Sequence, residues 1–102
     1  MTLAKEYIDH HFSEILSLEI VGNIIGLNAS YLSSQFKKEM GISFIDYVNM
    51  VRIREAQKLL LRTDDNLNTI AEKVGFSDAK YFSRMFKKET GIKPSDYRKL
   101  LS

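Results

Sequence analysis

The side chains best equipped for chemistry in this chain are cations and hydroxyls at helical spacing. Lys37-Lys38 and Lys87-Lys88 form a repeated basic pair. Lys80, Ser83 and Arg84 precede the second pair, and Ser30, Ser33 and Ser34 stand in the matching places before the first. Ammonium and guanidinium groups beside short hydroxyls suit recognition of anions and polar edges by hydrogen bonds, not the making of bonds. Nucleophilic and metal chemistry is poorly served. There is no cysteine, so disulfides, thiol catalysis and cysteine-based zinc sites are excluded. His10 and His11 are adjacent, so on a helix they point in different directions and cannot chelate one metal together. No HExxH, P-loop, GxGxxG or GxSxG is present. Asp64-Asp65-Asn66 lacks the length and the glycine of a calcium loop. The expectation is a non-enzyme with no cofactor and no metal.

The elements that position these groups come from one domain's worth of chain. The 102 residues are 44% hydrophobic and 27% charged, which suits a globular domain and argues against disorder. No run approaches the ~18 apolar residues of a membrane span, and the first twelve residues carry acids and histidines where a signal peptide needs an apolar stretch. No membrane partner is expected, and a reducing cytoplasm is allowed. The net charge of +2 is unremarkable, but its distribution is not. Residues 1–36 hold one Lys and four acids, a net of −3, and residues 37–102 hold fourteen bases and nine acids, a net of +5. A local patch can act electrostatically even when the total is small.

An internal repeat organises the chain. Residues 31–48, YLSSQFKKEMGISFIDYV, match residues 81–98, YFSRMFKKETGIKPSDYR, at ten of eighteen positions with an offset of 50. Upstream the offset falls to 49: Leu18, Val21, Ile25, Gly26 and Leu27 face Leu67, Ile70, Val74, Gly75 and Phe76. The slip follows each glycine, where a turn tolerates an insertion. Each copy reads as a short helix, a glycine turn and a second helix. The apolar spacing of three and four gives the first helix. Gly26 or Gly75 ends it by accepting a positive φ. Asn28, or Ser77 or Asp78, caps the next helix. That helix runs to Lys38 or Lys88, with Leu32 and Phe36, or Phe82 and Phe86, on its inward face. Gly41 or Gly91 follows. This is the helix-turn-helix shape.

Residues 44–61 join the copies. They contain no Pro or Gly, and Ser43-x-x-Asp46 reads as a capping box. Phe44, Tyr47, Val48 and Val51 form one apolar stripe, and Ile53, Ala56, Leu59 and Leu60 form another, rotated by about 140°. Two stripes predict a helix whose first half packs on one lobe and whose second half packs on the other. Arg52, Arg54 and Lys58 argue against a helix buried all round, because long cations are rarely fully buried. An opening helix is expected over 3–12 with Leu3, Tyr7 and Ile8 inward, and Pro94 is placed as at a helix start. The resulting division is a first lobe at 1–43, a connecting helix at 44–61 and a second lobe at 62–102.

In a helix-turn-helix, the second helix enters the major groove of DNA and presents its N-terminal half to base edges. The outward positions there are Ser30, Ser33 and Ser34 in the first copy and Lys80, Ser83 and Arg84 in the second. Arg84 is the strongest base reader, since its fork can bond guanine O6 and N7 together, worth ~1–3 kcal/mol of discrimination. The serines need close approach or a bridging water, or else form a merely solvated face, so the first unit should rely more on DNA shape. Lys37, Lys38, Lys87 and Lys88 are candidate phosphate contacts, with helix-end charges complementing the dipole as the plain alternative. Asn28 and Ser77 could cap their helices and leave amide N–H groups aimed at phosphate. Tyr31 and Tyr81 offer hydroxyls to phosphate, or else pack partly into the core. The connecting helix of about 18 residues spans about 27 Å, against about 34 Å between successive major grooves on one DNA face. One monomer could therefore engage adjacent grooves, with bending covering the shortfall, at a site that is asymmetric.

The stretch IAEKVGFSDAKYFSRMFKKETGIKPSDYR, residues 70–98, resembles the DNA-binding domain of the AraC/XylS family of bacterial transcription regulators. Ala71, Gly75-Phe76, Asp78, Tyr81-Phe82, Phe86-Lys87-Lys88, Gly91, Pro94 and Tyr97-Arg98 stand where that family's signature has them, and Arg52 and Ala56 also fit. The resemblance implies an all-α, duplicated, homeodomain-like fold: seven helices in two helix-turn-helix units joined by a rigid connector. It implies binding to promoter DNA, most often activation through contact with RNA polymerase, and base reading by Ser30, Ser33, Ser34, Lys80 and Arg84. Gly22 departs from the family's usual small alanine, and the lower helix propensity of glycine is expected to loosen the first unit. Family members usually carry a sensing or receiver domain. None is visible here, so the chain reads as a fragment of a longer regulator or as a stand-alone activator; the helix beginning almost at Met1 is read as favouring an isolated domain, and such a domain is expected to be monomeric. The competing reading is a helical adaptor that binds a protein without reading bases.

Overall fold

Polar caps and left-handed glycines divide the chain into helices. In the computed structural model, which describes residues 1–101, these are α1 (Thr2–His11), α2 (Leu18–Ile25), α3 (Ala29–Met40), α4 (Phe44–Arg62), α5 (Leu67–Lys73), α6 (Ala79–Thr90) and α7 (Pro94–Leu101). The described residues contain no strand, and none of their helices is long and apolar enough to cross a membrane. Side chains of Ser17, Asn28, Asn66 and Asp78 accept from first-turn amides of α2, α3, α5 and α6. Ser43 Oγ accepts from Asp46 N at the start of α4, as its capping sequence predicts. Gly26, Gly41 and Gly91 close α2, α3 and α6 with φ near +80°. Both recognition-type helices run two residues past the expected Lys38 and Lys88.

The chain divides into two units, Met1–Val51 and Arg52 onward. In the first, Ala4, Ile8, Val21, Leu32, Phe36, Phe44, Tyr47 and Val48 form the core. The Phe36 ring meets Phe44 and Tyr47 edge-on at 5.7 and 5.6 Å. α1 is tied to the start of α4 by Tyr47 Oη donating to Asp9 Oδ1 at 2.7 Å, while Lys5 Nζ donates to Asp9 Oδ2 at 2.9 Å. Burial pushes the Asp9 carboxyl up, but the hydrogen bonds from Tyr47 and Lys5 outweigh it and hold the carboxyl below its ordinary value. Leu3, expected inward, is 66% exposed, and Ala4 takes the inward place. Ala4 and Ile8 are the pair four residues apart that faces the core, and alanine is too weakly apolar to reveal this in the sequence pattern.

In the second unit, Ile53, Ala56, Leu60, Ile70, Ala71, Val74, Phe76, Phe82 and Phe86 are buried. Phe86 packs on Phe82 at 5.9 Å and on Tyr97 at 5.3 Å. Arg98 seals the C-terminal end of α4. Its Nε donates to Leu60 O, Nη1 to Asp65 O and Nη2 to Thr63 O, at 3.0, 2.7 and 3.1 Å. One planar fork thus satisfies one carbonyl of the last helical turn, Leu60 O, and two of the linker that follows, Thr63 O and Asp65 O. The two stripes of α4 behave as expected in part: Phe44, Tyr47 and Val48 join the first core, and Ile53, Ala56 and Leu60 are buried in the second unit. Arg52 corrects the expectation that the cations of α4 stay exposed. It is only 8% exposed, with its guanidinium 5.7 Å from the centre of the Phe76 ring. Burial lowers the pKa of that guanidinium, partly offset by Tyr81; the aromatic face compensates for some of the lost water.

Gly22 also departs from expectation. Its missing side chain is a packing requirement, which helix propensity alone does not reveal. A Cβ added there would run into the Leu27 carbonyl oxygen. Both units close their turns with the same bond, Leu27 N to Gly22 O at 2.8 Å and Phe76 N to Ala71 O at 2.9 Å. The first turn then reaches its next helix through Gly26-Leu27-Asn28, and the second through Gly75-Phe76-Ser77-Asp78. In the first unit the Leu27 carbonyl lies against position 22, where a Cβ does not fit, whereas the second unit carries Ala71 at the matching place.

Candidate nucleic-acid interface

Two helices carry the candidate residues, and each is oriented by what it buries. α3 buries Leu32 and Phe36, and α6 buries Phe82 and Phe86. The helical period then turns the intervening positions outward. Ser30, Ser33, Ser34, Lys37 and Lys38 are exposed on α3; Lys80, Arg84, Lys87 and Lys88 are exposed on α6, and Ser83 is half-buried. Among the described residues, no carboxylate lies within ion-pair distance of Lys37, Lys38, Lys80, Arg84, Lys87 or Lys88. Lys5, Lys58 and Lys73, by contrast, are paired with Asp9, Glu55 and Asp65. These six cations of α3 and α6 are therefore open to an outside anion, as are Arg54, Arg62, Lys93 and Lys99, which also lack an ion pair among the described residues.

The helix starts differ between the units. Asn28 is exposed and its Oδ1 accepts from Tyr31 N at 2.8 Å, as expected. In the second unit the cap is Asp78, whose Oδ1 accepts from Lys80 N at 2.8 Å. Ser77 is an exposed turn residue and not the cap, since the extra turn residue carries it one place too early. The tyrosines diverge as well. Tyr31 is 51% exposed and so does not pack into the core. Tyr81 is half-buried, with its ring 5.8 Å from Phe76 and the Arg84 guanidinium 5.6 Å from its centre. Sequence reasoning found the outward cations but missed this Tyr81–Arg84 contact. Their spacing of three was the available signal.

Elsewhere the polar groups serve the fold. His10 Nδ1 lies 2.8 Å from Glu6 O, and His11 Nδ1 lies 2.6 Å from Glu14 Oε2. His11 is half-buried and stacks on Tyr7 at 4.1 Å. Among the described residues, no three His, Cys, Asp or Glu side chains converge as a metal site would need.

The arrangement defines a class: a duplicated helix-turn-helix domain that presents one cation-bearing helix from each unit. A family profile described as a helix-turn-helix domain matches residues 21–100. The chain belongs to the AraC-type helix-turn-helix family, whose members are DNA-binding transcription-regulator domains and not enzymes. It is 44% identical over 92 residues to YtdP of Bacillus subtilis (strain 168), described as an uncharacterized HTH-type transcriptional regulator, covering 90% of this chain and 12% of YtdP. It is 37% identical over 102 residues to the regulatory protein PocR of Salmonella typhimurium, covering all of this chain and 34% of PocR. Among solved structures it resembles the C-terminal domain of AraT, a response regulator from Geobacillus stearothermophilus, with a TM-score of 0.90 and 42% identity over 95% of this chain and 81% of that one. The chain thus spans about a third or less of these two curated relatives.

Proposed function

We propose that this domain binds double-stranded DNA sequence-specifically, with α3 and α6 entering adjacent major grooves of a promoter site. The carrying observation is the set of six exposed cations on two buried-face helices, none of them paired with a carboxylate among the described residues. Ser30, Ser33, Ser34, Lys80, Ser83 and Arg84 are the base readers. Asn28, Tyr31, Lys37, Lys38, Ser77, Tyr81, Lys87 and Lys88 bear on the phosphate backbone. Lobes at 1–43 and 62–102, joined by the helix at 44–61, are the units of reading. The domain acts as a monomer within a longer bacterial cytoplasmic regulator, most often an activator that also touches RNA polymerase. Its partial coverage of YtdP and PocR supports the larger protein, and the sensing domain is assigned to the remainder of that protein.

Selection from random DNA, followed by binding at several salt concentrations, tests this reading. A DNA reader shows affinity falling by about 0.9 log unit per log unit of salt for each phosphate neutralised. Arg84→Ala is expected to lose preference at one or two base pairs, whereas Lys88→Ala weakens all sequences nearly alike. Weak, salt-insensitive binding would instead identify a protein-binding adaptor.

A further inference from the structure

We propose that Tyr81 is a positioning residue that holds the Arg84 guanidinium ready to read a guanine, making the second unit the dominant source of specificity. This rests on the base-reading role assigned to Arg84 above. Arg84 follows Tyr81 by three residues on α6, and its Cζ sits 5.6 Å from the centre of the Tyr81 ring. A cation is drawn to the negative face of an aromatic ring. That attraction uses no hydrogen-bond acceptor, and among the described residues no acceptor engages the Arg84 donors. The fork is held, and its N–H groups stay available.

The ring is itself braced from the core. Phe82 is fully buried, Phe76 packs on it at 5.4 Å, and Tyr81 packs on Phe76 at 5.8 Å. The buried guanidinium of Arg52 lies against the same Phe76 ring. A continuous stack therefore runs from the core to the reading side chain. A long, flexible arginine loses much of its freedom when it binds, and ordering it beforehand removes part of that cost. The acceptor pair that a planar fork fits best on a base edge is O6 and N7 of guanine. The first unit has no such device. Leu27 stands in place of Phe76, Tyr31 is half exposed, and Ser34 stands in place of Arg84.

The test uses the whole 102-residue chain, the duplex selected by the unmodified protein, and duplexes with each base pair changed in turn. The readout is the ratio of Kd values on changed and selected duplexes, from which a uniform phosphate contact by the tyrosine hydroxyl cancels. Tyr81→Leu keeps an apolar group against Phe76 but removes the ring face, and it is expected to lower discrimination at the G·C pair read by Arg84 about two- to fivefold. Tyr81→Phe should retain that discrimination. In an Arg84→Ala background, Tyr81→Leu should change the ratio no further. Unaltered discrimination in Tyr81→Leu, or a loss that persists in the Arg84→Ala background, overturns the positioning role alone. Undiminished discrimination in Arg84→Ala overturns the base-reading assignment and the positioning role with it. Tyr81→Met, judged by the same ratios, replaces Tyr81→Leu if the latter fails to fold by circular dichroism.

Discussion

Position 22 shows how a single atom is set by its surroundings. Gly22→Ala introduces a Cβ against the Leu27 carbonyl, and overpacking of this kind costs about 1–3 kcal/mol. Urea unfolding should show that loss, whereas at the matching place in the other unit Ala71→Gly should cost only the backbone entropy of glycine, about 0.5–1 kcal/mol. An equal, small change at both positions would contradict the close approach. Asp9 gives a second prediction, on pH. Its carboxyl is held below the ordinary value, because hydrogen bonds from Tyr47 and Lys5 outweigh the effect of burial. The folded state therefore binds that proton less readily than the unfolded chain. The contribution is complete above the unfolded carboxyl value and disappears as pH falls through the lower folded value. Tyr47→Phe should remove about 1 kcal/mol at neutral pH and flatten the fall of Tm on acidification. A Tyr47→Phe melting curve that keeps the full acid dependence would assign that dependence elsewhere.

At the scale of elements, much was legible because the repeat supplies its own check. The paired spacings of Leu32 with Phe36 and Phe82 with Phe86 set the inward faces of α3 and α6, and thereby the outward cations. The two stripes of α4 were visible because apolar residues change phase along it. Groups whose partners lie far along the chain were not visible. Arg98 reaches carbonyls 33 to 38 residues away, and no local spacing announces such a bond. Arg52 was misjudged for a related reason, since its burial depends on Phe76, a residue of another element. Arg98→Lys keeps the charge but loses the fork, and it should cost about 2 kcal/mol, seen as a lower Tm. An unchanged Tm would show that the three bonds contribute little. The cap at Asp78 carries a negative charge at the start of α6, where a phosphate would be repelled. Asp78→Asn preserves a capping side chain and is expected to tighten DNA binding two- to threefold, by order of magnitude, on all sequences alike. A change confined to particular sequences would mean that Asp78 takes part in base reading.

For the whole molecule, duplication sets two similar helix-turn-helix units with unlike surfaces on one chain. Both units bury a phenylalanine at the matching place, Phe36 and Phe86, but the first presents serines where the second presents Lys80 and Arg84. The proposed function, with α3 and α6 of one chain as unlike readers, predicts a recognition site without two-fold symmetry, with base preference concentrated on the side bound by α6. Family and fold were legible in residues 70–98, while the identity of the bound sequence depends on contacts that only a DNA partner can supply. The most direct measurement is the length and symmetry of the sequence this domain selects from random DNA. The proposed function predicts an asymmetric site covering two neighbouring helical turns, one G·C pair of which loses its preference in Arg84→Ala. A selected site confined to one turn, or built of mirror-related halves, would contradict it.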